Sequence, residues 1–282
     1  MSFEVMLAVL LGAACHASWN ALVKSGSDPF LDTVSVATCL AAATAIMLVF
    51  LPMPLPLEAS WLCLVGSVVI HVAYYAFLVL AYRKGDLSLV YPIMRGTAPA
   101  FTALLAAVLL GEQPSWGGWT GVFLVSGGVL LLAADSPQSR GVRLAPVGFA
   151  LLNAGVIVGY TLVDGLGARL SGNAFSYTGW MFLLTGVLVF VTAFALRGRQ
   201  VAYHVWAQWK KWAIGGVLTF ASYSLALWAM TKAPIAPVAA LRETSIVFSA
   251  VLAVFVLKER ITPLRCVSIS IVTIGAVAIK SF

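Results

Sequence analysis

Charge is scarce in this sequence. Only 10% of its 282 residues are Asp, Glu, Lys or Arg, against about 25% in ordinary soluble domains. Apolar residues make up 61%, more than a soluble fold of this length could hide from water, although a bilayer can accept it. A soluble enzyme, a nucleic-acid binder and a disordered scaffold are all excluded on that ground. The 4 cysteines (Cys15, Cys39, Cys63, Cys266) show no CxxC spacing and sit within or beside apolar runs. They read as small buried hydrophobes rather than a disulfide frame or a zinc site. The sequence has no HExxH and no clustered His, Cys or Asp at metal-ligand spacing, so neither a metal nor another cofactor is expected. The phosphate-cradling GxxxxGK[ST] loop, the GxSxG elbow and paired intramembrane aspartates are missing too. The expectation is a protein that is not an enzyme and carries no ATP engine in cis.

What is present is a series of long apolar runs. Breaks at charges, Pro and Gly clusters predict ten spans near 4–24, 30–51, 59–82, 86–110, 116–134, 145–166, 175–196, 210–231, 235–257 and 263–280. Each approaches the roughly 20 residues that a helix needs to cross a bilayer. The runs are continuously apolar rather than alternating, so helices and not a barrel are expected. The N-terminus lacks a basic region and reads as a first span, not a cleaved signal peptide.

The chain also repeats itself. Sliding by 147 residues lays Arg95–Glu112 over Arg242–Glu259, with 8 of 18 pairs identical, and brings Gly128 over Gly275. The architecture read from this is all-α, ten transmembrane helices in an inverted 5+5 repeat around a central cavity. The halves are residues 1–140 and 141–282 of one transmembrane unit. An odd number of spans per half forces the second copy to enter from the opposite side, the arrangement that supports alternating access. The odd connections hold 12 of the Lys and Arg residues, whereas the termini and even connections hold 3 (Arg169, Lys232, Lys280). The positive-inside rule puts the basic face in the cytoplasm and both termini outside. It also accounts for the net charge of +7 without a nucleic-acid partner.

Polar groups at membrane depth are costly and normally face a cavity or a partner. Arg95 follows Tyr91 and Pro92 in span 4, and Arg242 with Glu243 holds the equivalent place in span 9, after Pro234 and Pro237. Pro removes a backbone donor, so both arginines are expected beside local helix breaks, where a guanidinium could grip a carboxylate. The competing reading is an Arg–Glu pair that only cross-links helices, or side chains that snorkel to an interface. Helical spacing gathers His16, Trp19 and Asn20 on span 1, His71, Tyr75 and Tyr82 on span 3, and Asn153, Tyr160 and Asp164 on span 6. Tyr223 and Ser224 precede Leu227 and Trp228 on span 8. Such walls suit flat side chains and organic cations. Trp61, Trp116, Trp119, Trp206, Trp209 and Trp212 sit at predicted span ends and read as interface anchors. Glu112 and Glu259 end their spans and are expected to cap loops or pair with neighbours such as Lys258 and Arg260. Gly117, Gly121 and Ser126–Gly128 suggest close helix packing.

Several stretches resemble a known group. HASWNALVK at the end of span 1, YYAFLVLAYRKGDLSLVYPIMRGTAPAFTALLAAVLLGE across spans 3 and 4, and ASYSLALWAMTKAPIAPVAALRETSIVFSAVLAVFVLKERITPLR across spans 8 and 9 resemble EamA-type members of the drug/metabolite transporter superfamily. The likeness covers essentially the whole chain. It implies a ten-helix bundle with a central cavity that exports or exchanges small metabolites. In size and cavity chemistry the chain is most similar to bacterial inner-membrane amino-acid exporters, aromatic ones included. Members of the family often keep both termini in the cytoplasm, against the charge count here. The small four-helix relatives couple to protons through a Glu in the first helix, but here span 1 carries only Glu4 at its start. Asp164 and Glu243 are left as the candidates for proton coupling, and a facilitator without ion coupling is the equal alternative.

The expected function is a secondary transporter of the bacterial inner membrane that exports amino acids by alternating access. Arg95 and Arg242 would meet the carboxylate, Trp19, Tyr75, Tyr91, Tyr160 and Tyr223 would shape the pocket, and Asn20 and His71 would add polar contacts. The short hairpins at 83–87 and 232–235 are the expected gates. Export of organic cations or another small metabolite is the alternative within transport, and a membrane scaffold or sensor the alternative outside it. The partners expected are a small-molecule substrate and the lipid bilayer, with the protein a monomer or weak dimer.

Overall fold

A computed structural model describes residues 1–24, 28–51, 53–84, 87–136, 144–255 and 262–281. All regular structure among them is helical: α1 (Phe3–Lys24), α2 (Pro29–Phe50), α3 (Trp61–Lys84), α4 (Leu87–Leu109), α5 (Trp116–Leu131), α6 (Leu144–Leu170), α7 (Ala174–Arg197), α8 (Arg199–Ala207), α9 (Trp209–Met230), α10 (Ile235–Arg242), α11 (Ser245–Phe255) and α12 (Pro263–Ser281). Ten segments are long and apolar enough to span a membrane, the ninth running from α10 into α11. Side chains start several of them. Asp28 accepts from the amides of Phe30 and Leu31 ahead of Pro29, and Asn173 accepts from Phe175 and Ser176, each satisfying donors that a helix start leaves open.

The strongest packing pairs are α5 with α12, α1 with α9, α2 with α7, and α3 with α6. Shifting each helix to its repeat counterpart maps this set onto itself, as the 5+5 arrangement requires. The α5–α12 contact depends on glycine. A Cβ on Gly121 would lie 2.6 Å from the Gly275 carbonyl oxygen, and one on Gly128 2.8 Å from Val272 Cγ2. Two backbones therefore meet where side chains would hold them apart.

The structure corrects several expectations. The connection between spans 7 and 8 contains a helix of its own, the amphipathic 9-residue α8, entered through Gly198 at φ +60°. Val201 of α8 packs into a cluster with Leu31, Val34 and Ala37 of α2, while Tyr203 and Trp206 face outward. His204 lies 2.9 Å from Asp32, and Arg197 lies 2.8 Å from Asp28, tying this corner to the start of α2. Partial burial pushes the Asp28 carboxyl up, but the Leu31 amide, Arg197 and the Phe30 amide outweigh it and hold it below its ordinary value. Trp212 is no interface anchor: it is fully buried, stacked near His204, whereas Trp116 is 88% exposed. Cys266 is exposed and Cys15, Cys39 and Cys63 are half-buried, so none is a deeply buried hydrophobe.

The helix break expected beside Arg95 does not occur. α4 runs unbroken through Pro92 and Pro99. Span 9 does break, but after Arg242 rather than at its prolines. The amides of Glu243 and Thr244 bond to Ala240 and Leu241, three residues back, and the Thr244 hydroxyl also donates to the Leu241 carbonyl at 2.7 Å. A threonine competing for backbone acceptors, with the turn tightened to three-residue spacing, separates α10 from α11.

Candidate central cavity

A cavity of about 90 Å³ lies near the middle of the bundle. α1 contributes His16 and Trp19, α2 Thr33 and Val36, α3 His71, Tyr74 and Tyr75, and α4 Arg95. Tyr160 comes from α6, Phe182 from α7, Thr219, Ser222 and Tyr223 from α9, and Arg242 from α10. Both halves therefore line it. Of the residues singled out in the sequence, Trp19, His71, Tyr75, Arg95, Tyr160, Tyr223 and Arg242 come together here. Asn20 and Tyr91 are not in the lining. The Asn20 amide donates instead to the His16 carbonyl at 2.8 Å, one turn back on its own helix. The Tyr82 side chain, Glu259, and the tip of the 83–87 hairpin at 85–86 with the side chains flanking it fall outside the described residues.

The walls are aromatic. His71 stacks on Tyr160 at 4.6 Å, and Tyr160 meets Tyr74 and Tyr223 edge-on at 5.7 and 6.2 Å. Phe182 closes on Tyr223 at 5.4 Å. Tyr74 could have been found from sequence, since it sits one turn beyond His71. Phe182 carries no such signal in an apolar helix.

The charges are unequal in their surroundings. Arg95 donates through Nε to Glu243 Oε2 at 3.0 Å, with Nη2 2.7 Å from Oε1 in a poorer hydrogen-bonding direction. Both partners are buried, so this ion pair joins α4 to the α10–α11 break and leaves little net charge. It matches the cross-linking reading of Arg95, although Arg95 also faces the cavity. Arg242 differs. Its guanidinium lies over the Tyr223 ring at 5.0 Å, and among the described residues no carboxylate forms an ion pair with it. Among the cavity-lining residues Arg242 is thus a cation with no carboxylate in contact, the buried Asp164 lying beyond the Tyr223 ring. The cavity can accept an anionic group against Arg242 with its apolar part among the tyrosines.

Toward the face that carries both chain termini, the floor is sealed by polar contacts. Asp164 is fully buried and accepts from Tyr177 at 3.0 Å and Tyr223 at 2.5 Å. One and a half turns further along α6, Arg169 pairs with Glu112 at 2.6 Å and donates to the Met230 and Ala233 carbonyls. Glu112 accepts from the Ile235 amide at 2.8 Å, which caps the start of α10. The expected local partners of Glu112 are therefore replaced by a latch that joins the α4–α5 connection, the end of α6 and the 232–235 hairpin. Sequence spacing could not show it, because its members lie 57 to 123 residues apart.

A protein of known crystal structure aligns over 99% of this chain and 97% of its own with a TM-score of 0.73. At 17% identity it shows a shared fold. No curated protein matches the sequence. The sequence profile of the EamA-like transporter family matches residues 4–134 and again 145–281. A multi-pass helical bundle with a central cavity and both halves matched by one profile, this chain belongs to the EamA-like transporter family.

Proposed function

We propose that the protein is a secondary transporter that carries amino acids outward across a bacterial inner membrane by alternating access, the two five-helix halves rocking about the central cavity. The observation that carries this reading is Arg242, a buried cation lining the cavity without an ionic partner among the described residues and placed over the Tyr223 ring. A substrate carboxylate would supply the missing anion, and Trp19, Tyr75 and Tyr160 would hold its side chain. Arg95, already neutralised by Glu243, positions the α10–α11 break rather than gripping substrate directly. The same pairing weighs against an organic-cation exporter, for which Glu243 would be the natural recognition group. With the Lys- and Arg-rich connections in the cytoplasm, the Glu112–Arg169 latch and the Asp164 floor close the outer face.

Uptake of a labelled amino-acid panel, aromatic members included, into proteoliposomes tests the reading. Saturable uptake is expected. Arg242→Gln should weaken it about 10- to 100-fold, the worth of one charge-assisted contact. Uptake of no amino acid by protein shown to be folded would refute the substrate class, and uptake unaffected by Arg242→Gln would remove Arg242 from the site.

A further inference from the structure

His71 in the cavity wall and Asp164 behind it form a pair of groups that lacks one proton. His71 Nδ1 is 3.0 Å from the carbonyl oxygen of Ser67, one turn back on α3. The Ser67 hydroxyl lies 3.2 Å from the same nitrogen and could donate to it, but a bare Nδ1 would then face the carbonyl oxygen lone pair to lone pair. A carbonyl can only accept, so the hydrogen is placed on Nδ1 and, in the neutral ring, Nε2 is a bare lone pair. That lone pair faces Asp164 Oδ2 at 4.0 Å. Two acceptors are turned toward each other across a gap too wide for a hydrogen bond. Asp164 is otherwise held by phenols alone, Tyr177 on Oδ1 and Tyr223 on Oδ2.

We propose that His71 and Asp164 together form a one-proton site that couples transport to a proton gradient. The proton comes from water in the cavity, which His71 lines and Asp164 does not. It binds Nε2, giving an imidazolium beside a carboxylate, or passes to Oδ2, giving a neutral ring beside a carboxylic acid. Either way the pair goes from one negative charge to none, and the proton leaves by the same lone pair when the cavity faces the other side. Loading draws α3 toward α6, because a shared proton favours a hydrogen-bonded distance over 4.0 Å. The Tyr160 ring stacked on His71 follows, so the cavity wall responds to the proton.

The structure separates the two carboxylates that the sequence offered for this role. A proton on Glu243 would leave the buried Arg95 guanidinium unpaired, a heavy penalty; a proton on Asp164 orphans no cation. The groups facing Asp164 are His71 and Cys63 on α3, Tyr177 on α7, Tyr223 on α9 and Tyr160 on its own helix. The nearest cations are set back, Arg242 behind the Tyr223 ring and Arg169 bound to Glu112.

The site itself needs no substrate, and only its link to export rests on the proposed function. Purified protein in lipid bilayers is titrated while the carboxyl stretch is followed by infrared difference spectroscopy and the histidine ring nitrogens by NMR, His71→Gln assigning the His71 signal. One proton is expected to titrate, read on the ring, the carboxyl or both in proportion. Asp164→Asn should abolish the carboxyl signal and lower the His71 midpoint by about one pH unit or more, since the facing anion is gone. Tyr177→Phe, which lies outside the cavity lining and removes one donor to the anion, should raise the midpoint by about one unit. If Asp164→Asn fails to fold, the Tyr177→Phe shift decides. Titration of neither group, or a His71 midpoint indifferent to both variants, would overturn the proposal. In proteoliposomes a pH gradient should drive uptake in the wild type and fail to do so in His71→Gln. Gradient-independent uptake with the spectroscopic titration intact would refute the coupling. Titration with no amino acid transported would refute the substrate reading and leave the proton site standing.

Discussion

Replacing Arg95 by Met keeps most of the side-chain volume and removes the charge, so Glu243 is left ionised or forced to protonate in a buried site. At the 2.7 Å separation of this pair, an effective dielectric of 20 gives a Coulomb attraction of about 6 kcal/mol, an upper bound before desolvation is counted. Breaking such a buried pair from one side costs about 3–5 kcal/mol, whereas removing both charges is often close to neutral. Arg95→Met and Glu243→Gln should therefore each destabilise by about 3 kcal/mol. The double variant should recover to within about 1 kcal/mol of the wild type, an interaction energy of at least about 2 kcal/mol. Reversible unfolding in mixed micelles, run on all four proteins, measures the cycle. Two small effects that simply add would show that the pair is not a structural tie. In that event Arg95 would return as a direct substrate ligand. A single Arg95→Ala variant cannot separate these roles, because it removes a cavity charge and orphans a buried carboxylate together.

Other consequences are open to direct measurement. Gly121→Val should destabilise by about 1–3 kcal/mol through overpacking against the Gly275 backbone, whereas Gly127→Ala, with open space around its Cβ position, should be silent; equal thermal stability of the two would refute the close-packing account. Glu112→Gln should loosen the latch on Arg169 and the Ile235 amide. A cysteine at Ala233 would then react several-fold faster with a membrane-impermeant thiol reagent, and an unchanged rate would mean that the latch does not hold that face shut. The lowered Asp28 carboxyl predicts a weak acid effect. A group depressed in the folded protein stabilises above its unfolded value near 3.9, and that contribution is lost as pH falls through the folded value. Because Asp28 and Arg197 are each more than a third exposed, the loss should stay below about 1 kcal/mol. It should be absent in Asp28→Asn, and an acid transition of the same size in that variant would refute the assignment.

Much of this molecule was legible along the chain because the bilayer imposes one rule on every segment. A span without internal hydrogen bonds cannot exist in hydrocarbon, so apolar runs of sufficient length fix helices and their number. The 147-residue repeat pointed to a 5+5 organisation, with which the family profile's match to residues 4–134 and again to 145–281 is consistent. It also located Arg95, Arg242 and most of the aromatic wall, since helical spacing places His71 and Tyr75, or Tyr160 and Asp164, on one face. The latch, the partner of Glu243 and the floor around Asp164 were not legible, because each depends on contacts across many residues whose register no periodicity sets. α8 was hidden for a related reason. Nine residues at an interface need neither a full apolar run nor a repeat, and Val201 became a core residue only once α2 offered it a surface.

The two arginines mark the division most clearly. By itself the sequence determined that two guanidiniums enter the membrane at repeat-related positions, since composition and register are properties of the chain alone. Only the tertiary structure decided that Arg95 is neutralised by Glu243 while Arg242 faces the cavity over a tyrosine. The repeat makes the two positions equivalent, but a carboxylate follows Arg242 and a glycine follows Arg95. When the halves pack, one acid serves the arginine of the opposite half and leaves its own neighbour without an ionic partner among the described residues.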